Sequence, residues 1–349
     1  MKWIYGLKEL GQAKLKWENF KMKIYITRRI PGEVTEKLKE KGYEVSFNEF
    51  DKPVTEEELV SGVRGVDAIL SLLTEKIDGD LMDLAGPQLK VISNYAVGFD
   101  NINVDDATKR GIVVTNTPCD EVNEAVAEHT WALILSLARR IVEADESVRR
   151  GFYSSWDPGT FLGSSLKGKT LGIIGLGRIG SMVAKRAKGY GMDLLYNKKE
   201  RDENLENELG VKYETLDDLL SKSDFVSLHV PLTEETKGMI NKGTISKMKK
   251  GSYIVNTARG EVIREDDLVE ALRDGHLKGA ALDVFETEPQ INPELIGMEN
   301  VVLTPHIGSA TWDARNKMSE MAFNGIIDVL EGRKPQNIVN ENVWESRRK

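Results

Sequence analysis

Lys169-Thr170-Leu171-Gly172-Ile173-Ile174-Gly175-Leu176-Gly177-Arg178-Ile179-Gly180 is the stretch on which the fold turns. An apolar run of strand length ends in G-x-G-x-x-G, and a helical pattern begins inside the motif. Gly175 permits the tight turn, Gly177 lets the backbone approach a pyrophosphate, and Gly180 lets helix and strand pack closely. The first helical turn offers free N–H groups and a favourable dipole to an anion. Gly175, Leu176, Gly177, Arg178, Ile179 and Gly180 are therefore expected to hold the phosphates of a dinucleotide.

The same strand–helix rhythm extends in both directions. Downstream, strands are expected at 170–175, 193–197, 225–230, 252–258, 279–285 and 301–306, with helices near 178–190, 215–221, 243–248 and 264–273. Upstream, KIYIT (23–27), YEVSF, VDAILSLL (66–73), LKVISNYA (89–96) and GIVVTN (111–116) read as buried strands, with helices near 32–40 and 79–84. Short continuous apolar runs between helices imply parallel strands covered on both faces. The expectation is an α/β protein of two Rossmann-like, doubly wound parallel-sheet domains with a cleft between them. A long helical stretch from Asn123 to about Arg150, capped by Asp120 or Asn123, joins the two series. A last helix from about Ala310 to Leu330 follows the second sheet and is expected to pack back on the first domain. The domains read as 22–118 plus 306–340, with 119–305 carrying the glycine motif.

Composition narrows the function classes. With 48 Lys and Arg against 56 Asp and Glu, the formal charge is −8, which excludes a generally basic nucleic-acid-coating protein. Cys119 is the single cysteine, so neither an intramolecular disulfide nor a cysteine-based zinc site can form, and no metal is expected. No apolar run reaches membrane-spanning length. Residues 1–21 have scattered lysines and no apolar core, which argues against an export signal. They are either a short extra helix or a leader to translation starting at Met22, and no role is assigned to them. The whole reads as a cytoplasmic enzyme or binding protein.

Three segments end strands on one edge: Asn256-Thr257-Ala258-Arg259-Gly260, Asp283-Val284-Phe285-Glu286-Thr287-Glu288-Pro289 and Thr304-Pro305-His306-Ile307-Gly308. Open α/β sheets bind ligands at that edge. An Arg, a carboxylate and a His suit hydride transfer to a 2-oxo acid. Arg can hold the substrate carboxylate and polarise the carbonyl. His can protonate the oxygen as hydride arrives, and a carboxylate beside it orients the ring and favours the imidazolium. At the end of the strand at 193–197, Asn197 stands where an acid would clamp a ribose, and Lys198 and Lys199 follow. An acid would repel a 2′-phosphate, whereas these residues would bind it, so NADP is expected to be preferred, with NAD as the alternative.

The runs GKTLGIIGLGRIG, MKKGSYIVNTARGEVI, GAALDVFETEP and NVVLTPHIGSAT resemble those of the D-isomer-specific 2-hydroxyacid dehydrogenases, and the resemblance extends from about Met22 to Asn340. Within the family the chain is most similar to the glyoxylate/hydroxypyruvate reductases. The resemblance implies that Arg259, Glu288 and His306 are catalytic, with Glu286 a nearby decoy. It implies that the backbone of Val97 and Gly98 receives the substrate carboxylate and that Leu73 lines the substrate pocket. Val230, Pro231 and Thr236 match the wall against the adenosine half. Asp283 matches the residue holding the nicotinamide amide, and Thr257, Ala258, Arg259, His306 and Gly308 complete the implied cofactor contacts. His129 and His276 match no family role and read as structural or exposed.

The alternatives are another enzyme of the family, of 3-phosphoglycerate or D-lactate type, and a dinucleotide-sensing, corepressor-like binding protein on the same fold. Phe285 stands where the D-lactate branch usually has Tyr. The helix after Asn123, with Phe152, Tyr153 and Trp156, would leave an apolar patch on a monomer, so a two-fold homodimer through the cofactor domain is expected.

Overall fold

The computed structural model describes residues 21–48 and 52–349. The N-terminal extension, apart from Lys21, lies outside the described residues. The first sheet contains β1 (Lys23–Ile26), β2 (Glu44–Phe47), β3 (Ala68–Ser71), β4 (Val91–Asn94) and β5 (Val113–Thr115). The second contains β6 (Thr170–Ile174), β7 (Asp193–Asn197), β8 (Lys212–Tyr213), β9 (Phe225–Leu228), β10 (Ser252–Asn256), β11 (Leu277–Leu282) and β12 (Val301–Leu303). Their orders are β2-β1-β3-β4-β5 and β12-β11-β10-β9-β6-β7-β8, and every pairing between these strands is parallel. In the second sheet the order reverses at β6, which lies between β7 and β9. That reversal leaves a crevice at the strands' carboxyl ends, directly at the glycine motif.

By its contacts the chain divides into two units. One comprises the described residues up to Tyr95, Asn101–Asn116 and Ala322–Lys349; the other comprises Ala96–Asp100 and Thr117–Met321. These limits differ from 118 and 306 for local reasons. Residues after His306 stay with the second unit because Asp283 accepts the N–H groups of Ile307 and Gly308, each at 2.8 Å. The helix Trp312–Leu330 changes allegiance part-way, where Ser93 Oγ donates to the Ala322 carbonyl at 3.2 Å. Beyond it the chain joins the first sheet: the Val339 N–H donates to the Val114 carbonyl at 2.8 Å, and Asn340 Oδ1 accepts the Val114 N–H at 2.9 Å.

The second sheet buries both faces, with strand residues alternating between them. Leu171, Ile173, Phe225, Tyr253 and Val255 join a core with Trp131, Ile134 and Leu137 of the helix Asp120–Arg139. Val226, Leu228 and Ile254 join the opposite core with Leu219, Leu268 and Leu272. Phe225 and Tyr253 stack at a centroid distance of 4.7 Å.

The long joining helix is two helices, Asp120–Arg139 and Ile141–Arg149, separated at Arg140 with φ 54°. No Gly or Pro marks this break; Arg140 adopts the left-handed conformation while its Nε donates to Glu143 at 2.7 Å. The expected cap is also corrected: Cys119 occupies the N-cap and makes no side-chain capping bond, and Asp120 and Glu121 lie in the first turn, where they favour the dipole. The helix Glu203–Leu209 and the two-residue β8 are further elements beyond the sequence expectation.

Candidate active site

Gly175 follows β6 with φ 96°, a conformation that favours glycine, and a Cβ there would strike the His229 carbonyl. A Cβ on Gly180 would strike the Gly175 carbonyl oxygen, so this glycine permits the close turn-to-helix packing. Gly177 faces open space, and as N-cap of the helix Arg178–Ala187 it supplies no capping side chain. The first N–H groups of that helix therefore lack a side-chain cap beside an open glycine backbone, an arrangement that fits a dinucleotide pyrophosphate. Leu176 is fully buried and so can meet a ligand only through its backbone; Ile179 is half-buried against the same core, and Arg178 is exposed.

Ile174 pairs with Asn197 across the β6–β7 register, and the Asn197 carbonyl accepts the Gly175 N–H at 2.9 Å. The Asn197 amide donates to the Glu214 carbonyl at 2.9 Å. Each cation that follows has an acidic partner: Lys198 with Asp202 at 3.5 Å, Lys199 with Glu235 at 3.4 Å, and Arg201 with Glu206 through two bonds of 2.7 and 2.9 Å. The Arg201 guanidinium holds the Glu206 carboxyl down at about 2. After β9, Val230 is half-buried and Pro231 exposed; the Pro231 carbonyl accepts from Thr236 Oγ1 at 2.6 Å, closing the turn.

On the other side of β9, Asn256 pairs with Leu282, and Leu282 with Leu303. The residues that follow these three therefore leave one edge. Asn256 shapes the first turn, accepting the Ala258 N–H at 3.0 Å and donating to the Arg259 carbonyl at 2.8 Å. Thr257 Oγ1 lies 2.9 Å from Thr130 Oγ1, and Ala258 packs on the core.

His306 Nδ1 lies 2.9 Å from Glu288 Oε2. The carboxylate must accept, so Nδ1 carries a proton and Nε2 is left as the reactive atom. Glu288 is itself fixed, its Oε1 accepting the Phe285 N–H at 3.0 Å. Both side chains are 30% exposed, which leaves access for a substrate. Glu286 turns away: it accepts from Arg264 Nη1 at 2.8 Å and from the Glu265 N–H at 2.9 Å.

The backbone of His306 is in the left-handed region, φ 54°, with its N–H donated to the Asp283 and Thr304 carbonyls. The Asp283 side chain holds the following turn. Its Oδ1 accepts from Thr304 Oγ1 at 2.6 Å and from the Ile307 N–H, its Oδ2 from the Gly308 N–H, and His129 Nε2 lies 3.2 Å from Oδ1. Burial pushes this carboxyl up, but the His129, Thr304 and Ile307 donors outweigh that and bring it below its ordinary range. With its side chain only 2% exposed, Asp283 serves first as a clamp on the His306 turn. In the first unit Leu73, just after β3, is 38% exposed. Val97 and Gly98 are half-buried in the segment that groups with the second unit. Among the described residues no group of three or more His, Cys, Asp or Glu could hold a metal, and no helix is long and apolar enough to cross a membrane.

The model of the D-isomer specific 2-hydroxyacid dehydrogenase NAD binding domain matches residues 131–308. A glyoxylate reductase from Thermococcus litoralis is 48% identical over 330 residues, covering 93% of this chain and 99% of its own. The chain belongs to the D-isomer-specific 2-hydroxyacid dehydrogenases. A solved structure from Thermus thermophilus has a TM-score of 0.85 at 41% identity, covering 91% of this chain and all of its own. The NADPH-dependent glyoxylate/hydroxypyruvate reductase of Sinorhizobium meliloti, solved with NADP and malonate, has a TM-score of 0.81 at 32% identity, covering 94% of this dehydrogenase and 99% of its own chain.

Two residues of the dehydrogenase have supporting roles that the sequence reading did not assign: His129, read as structural or exposed, and Asn256, quoted only as the end of a strand. His129 is a polar residue on the apolar face formed by Val126, Leu133 and Ile134, and that mismatch is the signal for a buried partner. Asn256 ends a strand of otherwise apolar, aromatic or small residues, with its side chain wholly buried. His276 is half-buried and its Nε2 meets the Ile245 carbonyl at 2.9 Å, a structural contact.

Proposed function

We infer that this dehydrogenase reduces glyoxylate to glycolate, and hydroxypyruvate to D-glycerate, as a cytoplasmic homodimer using NADPH in preference to NADH. The observation that carries the chemistry is the pairing of His306 Nδ1 with Glu288, which leaves Nε2 to give a proton. The dinucleotide, when bound, supplies the hydride. Gly175, Leu176, Gly177, Arg178, Ile179 and Gly180 would hold its phosphates, largely through backbone N–H groups. Val230, Pro231, Thr236, Thr257, Ala258 and Gly308 would line it, with Asp283 toward the nicotinamide amide.

Arg259 would pair with the substrate carboxylate and stabilise the negative charge growing on the carbonyl oxygen. His306 would deliver a proton to that oxygen, while Glu288 keeps the ring oriented and stabilises its charged form. The backbone of Val97 and Gly98 would fix the substrate so that it presents its carbonyl to His306.

The NADPH preference rests on Asn197, Lys198 and Lys199. No acid stands at Asn197 to repel a 2′-phosphate, and the lysine pairs with Asp202 and Glu235 are long enough to yield to one. The Sinorhizobium relative is described as NADPH-dependent. Comparing kcat/KM for glyoxylate with each cofactor tests the reading. NADPH should win by about tenfold or more, the scale of one charge-assisted bond, and Asn197→Asp should move the balance toward NADH. A wild-type enzyme that favours NADH would refute the preference.

The homodimer is supported by Phe152, Tyr153 and Trp156, which are 72, 68 and 80% exposed, beside the helix Ile141–Arg149, none of whose residues is buried. An unpartnered apolar surface of this kind suits a second copy.

A further inference from the structure

Arg259 is anchored at two of its three guanidinium nitrogens. Nε donates to Asp100 Oδ1 at 3.1 Å, with Oδ2 at 3.4 Å, and Nη1 donates to the Ala258 carbonyl at 2.7 Å. The remaining nitrogen, Nη2, lies against Gly98: a Cβ built there would strike it and would also come within 2.9 Å of Asp100 Oδ1. The segment Ala96–Asp100 and Arg259 belong to one contact unit, so this cluster is local to that unit.

A guanidinium has five N–H donors in a rigid fork, and its orientation decides which of them face a ligand. We propose that Asp100 is a positioning residue: by pinning Nε it turns the Nη2 edge of Arg259 across Gly98, where the substrate carboxylate and carbonyl are to be met. The inference rests on the reductase reading above. Held by the Nη1–Ala258 bond alone, a side chain with four rotatable bonds would sample several orientations, and a displacement of about 1 Å at a reacting centre can cost on the order of a hundredfold in rate. Asp100 therefore acts through Arg259 and touches no reacting atom.

The alternative is that Asp100 competes with the substrate for the guanidinium. The two roles predict opposite kinetics. A pin, when removed, lowers kcat; a competitor, when removed, lowers KM and leaves kcat in place. Steady-state glyoxylate reduction by Asp100→Ala and Asp100→Asn, alone and in the Arg259→Lys background, separates them. Lysine has no Nε–H fork for Asp100 to pin.

We expect Asp100→Ala to lower kcat by roughly ten- to a hundredfold. Asp100→Asn, which retains a neutral acceptor, should recover part of that loss. In the Arg259→Lys background the cost of Asp100→Ala should shrink to about twofold or less, because residues acting as a unit are not additive. Melting and fluorescence binding of NADPH monitor the fold; should Asp100→Ala fail to fold, Asp100→Asn carries the comparison in both backgrounds. An unchanged kcat with a lowered KM, or the same loss in both backgrounds, would overturn the proposal. A wild-type protein inactive on glyoxylate and hydroxypyruvate with either cofactor would overturn the reductase reading itself, and the positioning role with it. An active wild type with an indifferent Asp100 overturns the positioning role alone.

Discussion

Glu286 and Glu288 differ by two positions in sequence and completely in partners. Glu288 meets His306, and Glu286 ties Arg264 to the start of the helix Glu265–Arg273. Glu288→Gln should therefore lower the turnover of glyoxylate by at least about tenfold, less than the roughly 10²–10⁴-fold of general acid–base help as a whole because His306 itself remains. Glu286→Gln should leave turnover within about twofold and lower the melting temperature instead. Stopped-flow or steady-state NADPH oxidation reads both. Residue chemistry alone placed a carboxylate after β11, and only the resemblance chose between the two, because spacing does not reveal which side chain a turn sends toward His306. A second residue-scale prediction concerns His229. Part of its surface is accessible, yet burial holds its imidazole at about 4, down from the usual 6.5. The unfolded chain takes up this proton as pH falls through about 6.5, and the folded chain takes it up only near 4. The unfolded state thus binds more protons across that window, and stability is lost as pH falls through it. His229→Gln should flatten the fall in melting temperature between those pH values, measured by calorimetry without cofactor.

At the scale of elements, the strands were legible because parallel strands buried on both faces appear as short apolar runs. Their alternation between two cores gives each face its own test. Phe225, 1% exposed and stacked on Tyr253, belongs to the core beneath the helix Asp120–Arg139. Phe225→Ala should cost about 3–5 kcal/mol of stability, seen as a shift in the denaturant midpoint. What the sequence hid was punctuation that uses no special residue. The turn at Arg140 is made by an arginine in the left-handed conformation, where a pattern reader expects Gly or Asn. β8 has two residues and pairs only with β7, too short for any periodicity. Asn256 and His129 were visible as letters, but the donors and acceptors they satisfy come from segments distant in sequence.

For the whole molecule, the exposed aromatic residues after the helix Ile141–Arg149 predict a dimer. Light scattering at micromolar concentration should give about twice the chain mass of 39.1 kDa, and Trp156→Glu should return the monomer. A monomeric wild type would leave that apolar surface without its partner. The return of the chain to β5 has a consequence for synthesis. The first unit is discontinuous, and two of its backbone groups at Val114 wait for Val339 and Asn340. Arg348 likewise supplies donors to the Gly86 and Leu89 carbonyls. On a ribosome the contiguous run from Thr117 to Met321 can close its own sheet while the earlier strands still lack their last partners. The segment before Thr117 is thus completed after the unit that follows it, so a nascent chain stalled beyond Met321 would keep its β1–β5 segment exposed to chaperones and proteases until Val339, Asn340 and Arg348 have been made.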